Sequence, residues 1–387
     1  MSGLLLALIY ISFISLGLPD SLLGSAWPVL HTEINVPVSY AGIISMIISA
    51  GTIISSLLSD RMLHKFGTGK ITAFSTFLTA IALLGFSISN QYWMLVLWAI
   101  PYGLGAGGVD SVLNNYVAIH YKAQHMSWLH CMWGVGASIS PYIMSYALVK
   151  LSNWSYGYLL VSIIQIALSL FLFMSLPLWN KGVKNNVGTE NSNGTKPMTF
   201  KEIFSTSGAL AAFIAFFAYC ALELTASLWA SSYLVETRGV LPETAATLAC
   251  LVYLGITVGR AINGFLAMKL KDSLLVRLGI GIVALGIMLI ILPLNTEFAI
   301  IGLFIMGLGC APIYPCIMHM TPEIFGAEKS QAMIGMQMAF AYTGFLLMPS
   351  LFGWLADYLS FAILPIYLLV LLVVILIMHE KIVKQTR

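Results

Sequence analysis

The chain has 387 residues, of which 59% are hydrophobic and only 9% charged, with a formal net charge of +3. So little polar surface cannot cover a water-soluble globule of this size, and the composition places the chain in a bilayer. The 18 basic residues are dispersed over many short loops and make no basic face, which excludes nucleic acid as a partner. Cys131, Cys220, Cys250, Cys310 and Cys316 all fall in apolar stretches without paired ligand spacing, so neither a disulfide framework nor a zinc site is expected.

Runs of about 20 apolar residues suffice to cross a bilayer. They are predicted at 3–29, 40–58, 71–90, 93–119, 127–149 and 156–177, then at 207–234, 245–268, 274–293, 298–320, 331–355 and 361–378. The first run lacks a basic n-region and a small-residue cleavage site and carries an acid, so it reads as a retained span rather than a signal peptide. That acid is Asp20, in SLGLPDSLLGSAW, and a continuous helix would put Asp20, Gly24 and Trp27 on one stripe. Span 4 holds Asp110 in GLGAGGVDSVLNNYV, one turn from Asn114. Its Gly103, Gly105, Gly107 and Gly108 suit close helix packing, because the loop-to-helix context of a phosphate cradle is missing. Span 7 carries Glu223 in FFAYCALELTASLW, on one face with Tyr219 and Ser227. Arg260 lies in span 8, where it either snorkels or enters an ion pair at an inner gate. Pro312 and Pro315 around Tyr314 are expected to kink span 10, and Gln337 and Tyr342 in span 11 are candidates for an opposite wall.

Fifteen of the Lys and Arg residues fall on one side of this twelve-span arrangement, only Lys150 and Arg238 fall on the other, and Arg260 lies within a span. The positive-inside rule then puts both termini in the cytoplasm, and the expected location is the inner (cytoplasmic) cell membrane. Between spans 6 and 7 runs WNKGVKNNVGTENSNGTKPMTFKE, a polar linker with almost nothing to bury. The expected organisation is a six-helix bundle over 1–177, a cytoplasmic linker over 178–205 and a second six-helix bundle over 206–387. An internal repeat points the same way: Gly103-Leu104-Gly105 recurs as Gly307-Leu308-Gly309, and Gly136 with Pro141 recurs as Gly344 with Pro349.

Two six-helix halves with a site at mid-membrane resemble the major facilitator architecture of secondary transporters. The fold expected is therefore all-α, twelve transmembrane helices in two six-helix bundles. The loop SDRMLHKFGTGK after span 2 is similar to that superfamily's acidic-basic signature, which implies a gating role for Asp60 and Arg61 beside Arg260. Pro19-Asp20-Ser21-Leu22-Leu23 resembles the N-D-I-L-L stretch of the fucose–proton symporter family, and Asp110-Ser111-Val112-Leu113-Asn114-Asn115 resembles its E-T-A-A-N-P stretch. Tyr219 to Glu223 is similar to its Y-x-x-x-E, and Tyr253 to Gly264 to its W-G-x-x-x-G-R-x-x-x-G. Asp110 stands where that family has a glutamate, and His130 and Trp133 stand where it has glutamine and asparagine.

An ionisable group at membrane depth is costly unless it faces a wet cavity or a partner, so it marks a substrate, ion or proton path. Asp20 and Asp110 are accordingly the candidates for proton coupling. Substrate contacts are expected from Asp20, Trp27, Asp110, Asn114, His130, Trp133, Tyr219, Glu223, Gln337 and Tyr342, because carboxylate and amide groups bind hydroxyls while aromatic rings pack on the apolar face of a sugar. Each has a plainer alternative: Glu223 at the outer mouth, His130 as a structural hydrogen bond between helices. The resemblance implies a monomeric transporter that takes up a sugar-like molecule with protons, without cofactor or metal. A proton-driven exporter of drugs or metabolites is the nearest rival. An intramembrane aspartyl hydrolase on Asp20 and Asp110 is the remote one, since Val109 breaks the G-x-G-D pattern.

Overall fold

A computed structural model describes residues 3–37, 40–179, 197–293 and 295–385. Every long element is an α-helix, as hydrocarbon demands of a backbone that must satisfy its own hydrogen bonds. The helices are α1 (Gly3–Gly17), α2 (Leu22–Glu33), α3 (Tyr40–Phe66), α4 (Thr68–Ser87), α5 (Tyr92–His120), α6 (Ala123–Lys150) and α7 (Ser155–Met174). The short α8 (Phe200–Ser205) follows, then α9 (Ala209–Arg238), α10 (Pro242–Leu266), α11 (Asp272–Ile291), α12 (Thr296–Phe325), α13 (Ala327–Tyr358) and α14 (Leu364–Gln385).

Ten spans among the described residues meet the length and hydropathy of a membrane crossing, with α1 and α2 counted as one. The more polar α6 and the apolar part of α10 complete the twelve expected from the sequence.

The first span differs from the continuous helix expected from its hydropathy. It breaks at Leu18 to Ser21, between α1 and α2. Pro19 has no N–H to extend the ladder, and the turn is closed instead by Asp20 N–H to Gly17 O (3.3 Å) and Leu22 N–H to Pro19 O (3.2 Å). Asp20 therefore sits on the interruption. By contrast, α12 is helical throughout its length although Pro312, Pro315 and Pro322 lie inside it.

Glycines let the helices touch backbone to backbone. A Cβ on Gly103 would overlap Ile48 of α3, and one on Gly105 would overlap Ser75 and Thr79 of α4, so α5 wedges between its two neighbours. The second half repeats this: Gly307 of α12 meets Val252 of α10, and Gly309 meets Gly279 and Val283 of α11. Gly136 of α6 abuts Ile14 of α1, as Gly344 of α13 abuts Phe217 of α9. The sequence repeat is thus a repeat of helix contacts, in which the same small residue admits the same neighbour.

Two compact units result. Unit 1 comprises residues 1–116, 129–198 and 327–335, and unit 2 comprises 117–128, 199–326 and 336–387. Each takes in a short piece of distant sequence. In unit 1 the start of α13 is held by Gln331, whose amide donates to Ser59 Oγ and Ser111 Oγ, both at 2.9 Å, and by Ser330 bonded to Asn115 Oδ1 at 2.5 Å. In unit 2 the α5–α6 connection is held by Asn263, which donates to Ser127 Oγ at 2.7 Å, and by Trp128, whose indole occupies the space beside Gly264 and packs on Phe265.

Candidate functional site

In unit 1 the break in the first span presents Asp20 to two donors. Tyr102 on α5 donates its hydroxyl to Oδ1 at 2.8 Å, and Trp133 on α6 donates its indole N–H to Oδ2 at 2.8 Å. The carboxylate remains exposed at the turn. Local packing fixes this geometry: Gly17 lets α1 approach the Trp133 carbonyl, and Ser21 donates to Ala137 O at 2.9 Å, so the turn is anchored on the helix that supplies the indole.

Asp110 is buried, and its Oδ1 accepts from the Asn114 amide at 2.8 Å. The same amide donates to the Asp110 backbone oxygen at 2.9 Å, an i,i+4 arrangement of the kind anticipated from spacing. Asn114 Oδ1 lies 3.0 Å from His130 Nε2, so that ring nitrogen carries a proton, and the ring stands edge-on to Phe13. His130 and Trp133 are one turn apart on α6. That helix therefore touches both acids, Asp20 directly and Asp110 through Asn114.

Tyr102 is the member that sequence reasoning missed. Its signal was available: it lies two turns before Asp110 on the same helix. Gln165 of α7 was also missed; it is buried, donates to Ser15 O at 2.7 Å and accepts from Thr79 at 3.0 Å, which ties α7 to α1 and α4.

In unit 2 Glu223 faces Arg260 across 3.8 Å, with side chains 12% and 7% exposed. Tyr219 donates to Cys310 O at 3.0 Å, and its hydroxyl also faces Glu223 and Arg260. Its ring packs near Tyr314, whose hydroxyl lies 2.9 Å from Met338 Sδ. Ser227 turns back to the Glu223 carbonyl at 2.8 Å. Gln337 is buried and accepts from Thr321 at 3.1 Å, while its amide nitrogen has no partner among the described residues. Tyr342 stands edge-on to Phe345.

Other candidates lie elsewhere. Trp27 is 5% exposed in an apolar cluster with Leu22, Leu30, Ile44 and Tyr158, its ring against His31. The break before α2 interrupts the continuous helix on which the stripe shared with Asp20 was expected. Asp60 is buried near the end of α3 and accepts the Met198 N–H at 3.1 Å, with His64 Nδ1 at 3.4 Å and Arg61 exposed beside it. Arg260 meets Glu223.

An all-helical polytopic chain with a broken first span and acids at membrane depth defines a membrane transporter. The family model of the Major Facilitator Superfamily matches residues 9–296 and 211–385, and the chain belongs to that family. It is a transporter, not an enzyme. The Glucose/mannose transporter GlcP of Bacillus subtilis is 21% identical over 362 residues, covering 89% of this chain and 86% of that protein. The Bypass of stop codon protein 6 of Saccharomyces cerevisiae is 23% identical over 285 residues, covering 68% of this chain and 57% of that protein's length. Among solved structures, the fucose:proton symporter FucP of E. coli superposes with a TM-score of 0.78 over 98% of both chains at 14% identity, a likeness of fold.

Proposed function

We propose that this major facilitator protein takes up a sugar or similar hydroxylated small molecule together with protons, by alternating access, across the inner cell membrane, with both termini in the cytoplasm. The observation that carries the reading is Asp20: an exposed carboxylate on a helix break, held by a phenol and an indole rather than by a counter-charge. Neutral donors let a carboxyl gain or lose a proton without stranding an opposite charge, which a buried ion pair does not allow. Asp110, joined through Asn114 to His130, is the second coupling acid. Protonation neutralises the loaded site, so it can be closed off from water, whereas the empty charged site cannot.

Substrate hydroxyls are to be bound by Asp20 and Asp110, with Trp133 as the aromatic platform; in unit 2, Tyr219, Glu223 and Tyr342 offer the same chemistry. The gating roles of Asp60 and Arg61 rest on the buried Asp60 carboxylate that anchors the Met198 end of the linker. The sugars in the names of GlcP and FucP, glucose, mannose and fucose, are the first compounds to try. A thermal-shift screen of purified protein with these sugars and with hydrophobic cations tests the substrate class. Sugar-dependent stabilisation that disappears in Asp20→Asn supports the reading, and stabilisation only by hydrophobic cations refutes it.

A further inference from the structure

Unit 2 contains a titratable pair that the transport reading does not use. His319 of α12 places Nδ1 2.7 Å from Asp272 Oδ2, on the first residue of α11, and Nε2 3.1 Å from the backbone oxygen of Tyr121 in the α5–α6 connection. Both partners are oxygens with no proton of their own unless the carboxyl is protonated. Two hydrogen bonds therefore need two protons on the pair: an imidazolium facing a carboxylate, or an Nε2–H imidazole facing a protonated Asp272. The two forms hold the same number of protons. Remove one, and a ring nitrogen lone pair is left against an oxygen lone pair.

We propose that His319 and Asp272 form a proton-binding site in unit 2, apart from Asp20 and Asp110, that clasps the α5–α6 connection while loaded and releases it when the proton passes to water. The side chains are 20% and 10% exposed, so water is a poor substitute for the lost bond. Other polar groups surround the pair. Glu323, one turn further along α12, adds negative charge, and Cys316 on the same helix lies beside the Asp272 carboxylate and accepts from Asn263 of α10 at 3.6 Å. From the clasped segment, the His125 ring packs against Tyr121 with Lys122 nearby, and on the far side His379 of α14 bonds Ser273 O at 3.3 Å. With His120, which directly precedes Tyr121, these are the other imidazoles near the clasp.

Hydrogen–deuterium exchange of the full-length protein in nanodiscs reads the clasp directly, without any substrate, so it stands or falls separately from the proposed transport. The signal is protection of amides 120–128, corrected for intrinsic rate, at about pH 5.5 and about pH 8.5, on either side of the ordinary imidazole range. Wild type is expected to lose protection about tenfold at the higher pH, the worth of one hydrogen bond to a charged group. His319→Ala should be unprotected at both. Asp272→Asn should be protected at both, because its amide N–H donates to Nδ1 while Nε2–H still donates to Tyr121, and a neutral ring suffices. His125→Gln and His379→Gln should behave as wild type. Equal protection of wild type at the two pH values, or an Asp272→Asn that opens like wild type, overturns the proposal. If His319→Ala does not fold, Asp272→Asn decides.

Discussion

Asp20 in unit 1 is held by the Tyr102 hydroxyl and the Trp133 indole, and Asp110 by the Asn114 amide, whereas Glu223 in unit 2 faces the Arg260 guanidinium. The first arrangement tolerates either protonation state of the acid. The second pairs the acid with Arg260, only 5% exposed, so that removing either side chain strands a buried charge. The two units thus use the same residue type for different ends: acids among neutral donors are suited to exchange protons, and an acid beside a buried cation is suited to hold structure and orient Tyr219.

The comparison breaks most readily at Arg260. Arg260→Ala should cost roughly 3 kcal/mol in thermal unfolding of the purified protein, with most of it recovered in the Glu223→Ala/Arg260→Ala double variant; a neutral single variant would remove the distinction between the units. Next come the glycines. Gly136→Ala and Gly344→Ala each force a Cβ into a facing backbone, Ile14 and Phe217 respectively. Each should cost about 2 kcal/mol by the same assay, and very unequal values would show that the repeated contacts are not equivalent. Tyr102→Phe removes one donor from Asp20 and should cost about 1 kcal/mol.

The smallest effect is at α8, where Glu202 accepts both the Thr199 N–H (2.7 Å) and its hydroxyl (2.8 Å) in a capping box. Those bonds hold its carboxyl below the usual glutamate range. The cap is therefore present above the ordinary glutamate range and is lost as pH falls through the depressed value. Faster corrected exchange of the Thr199 and Glu202 amides in acid is the expected readout, and constant protection would contradict it.

Much of this was legible in the sequence. Span positions follow from hydropathy, and the packing role of Gly103 and Gly105 follows from their place inside a span. The Asp110–Asn114 bond follows from helical spacing alone. What could not be read depends on contacts between distant segments: Trp133 reaches Asp20 across 113 residues, and nothing local to Arg260 names Glu223 as its partner. The break at Pro19 was concealed because hydropathy does not distinguish a kinked span from an interrupted one, and Trp27 beyond it packs in the apolar cluster. Tyr102 was passed over because an aromatic at a helical position most often packs, and only its hydroxyl partner reveals the polar role.

Proton movement coupled to substrate entry tests the central claim most directly. A membrane-impermeant pH dye in the medium around right-side-out vesicles, or an electrode in a lightly buffered cell suspension, follows external pH when the stabilising sugar is added. The account predicts alkalinisation with wild type and none with Asp20→Asn or Asp110→Asn, although Asp110→Asn should still exchange labelled for unlabelled sugar. Sugar uptake without any proton movement, unchanged by Asp110→Asn, would contradict it.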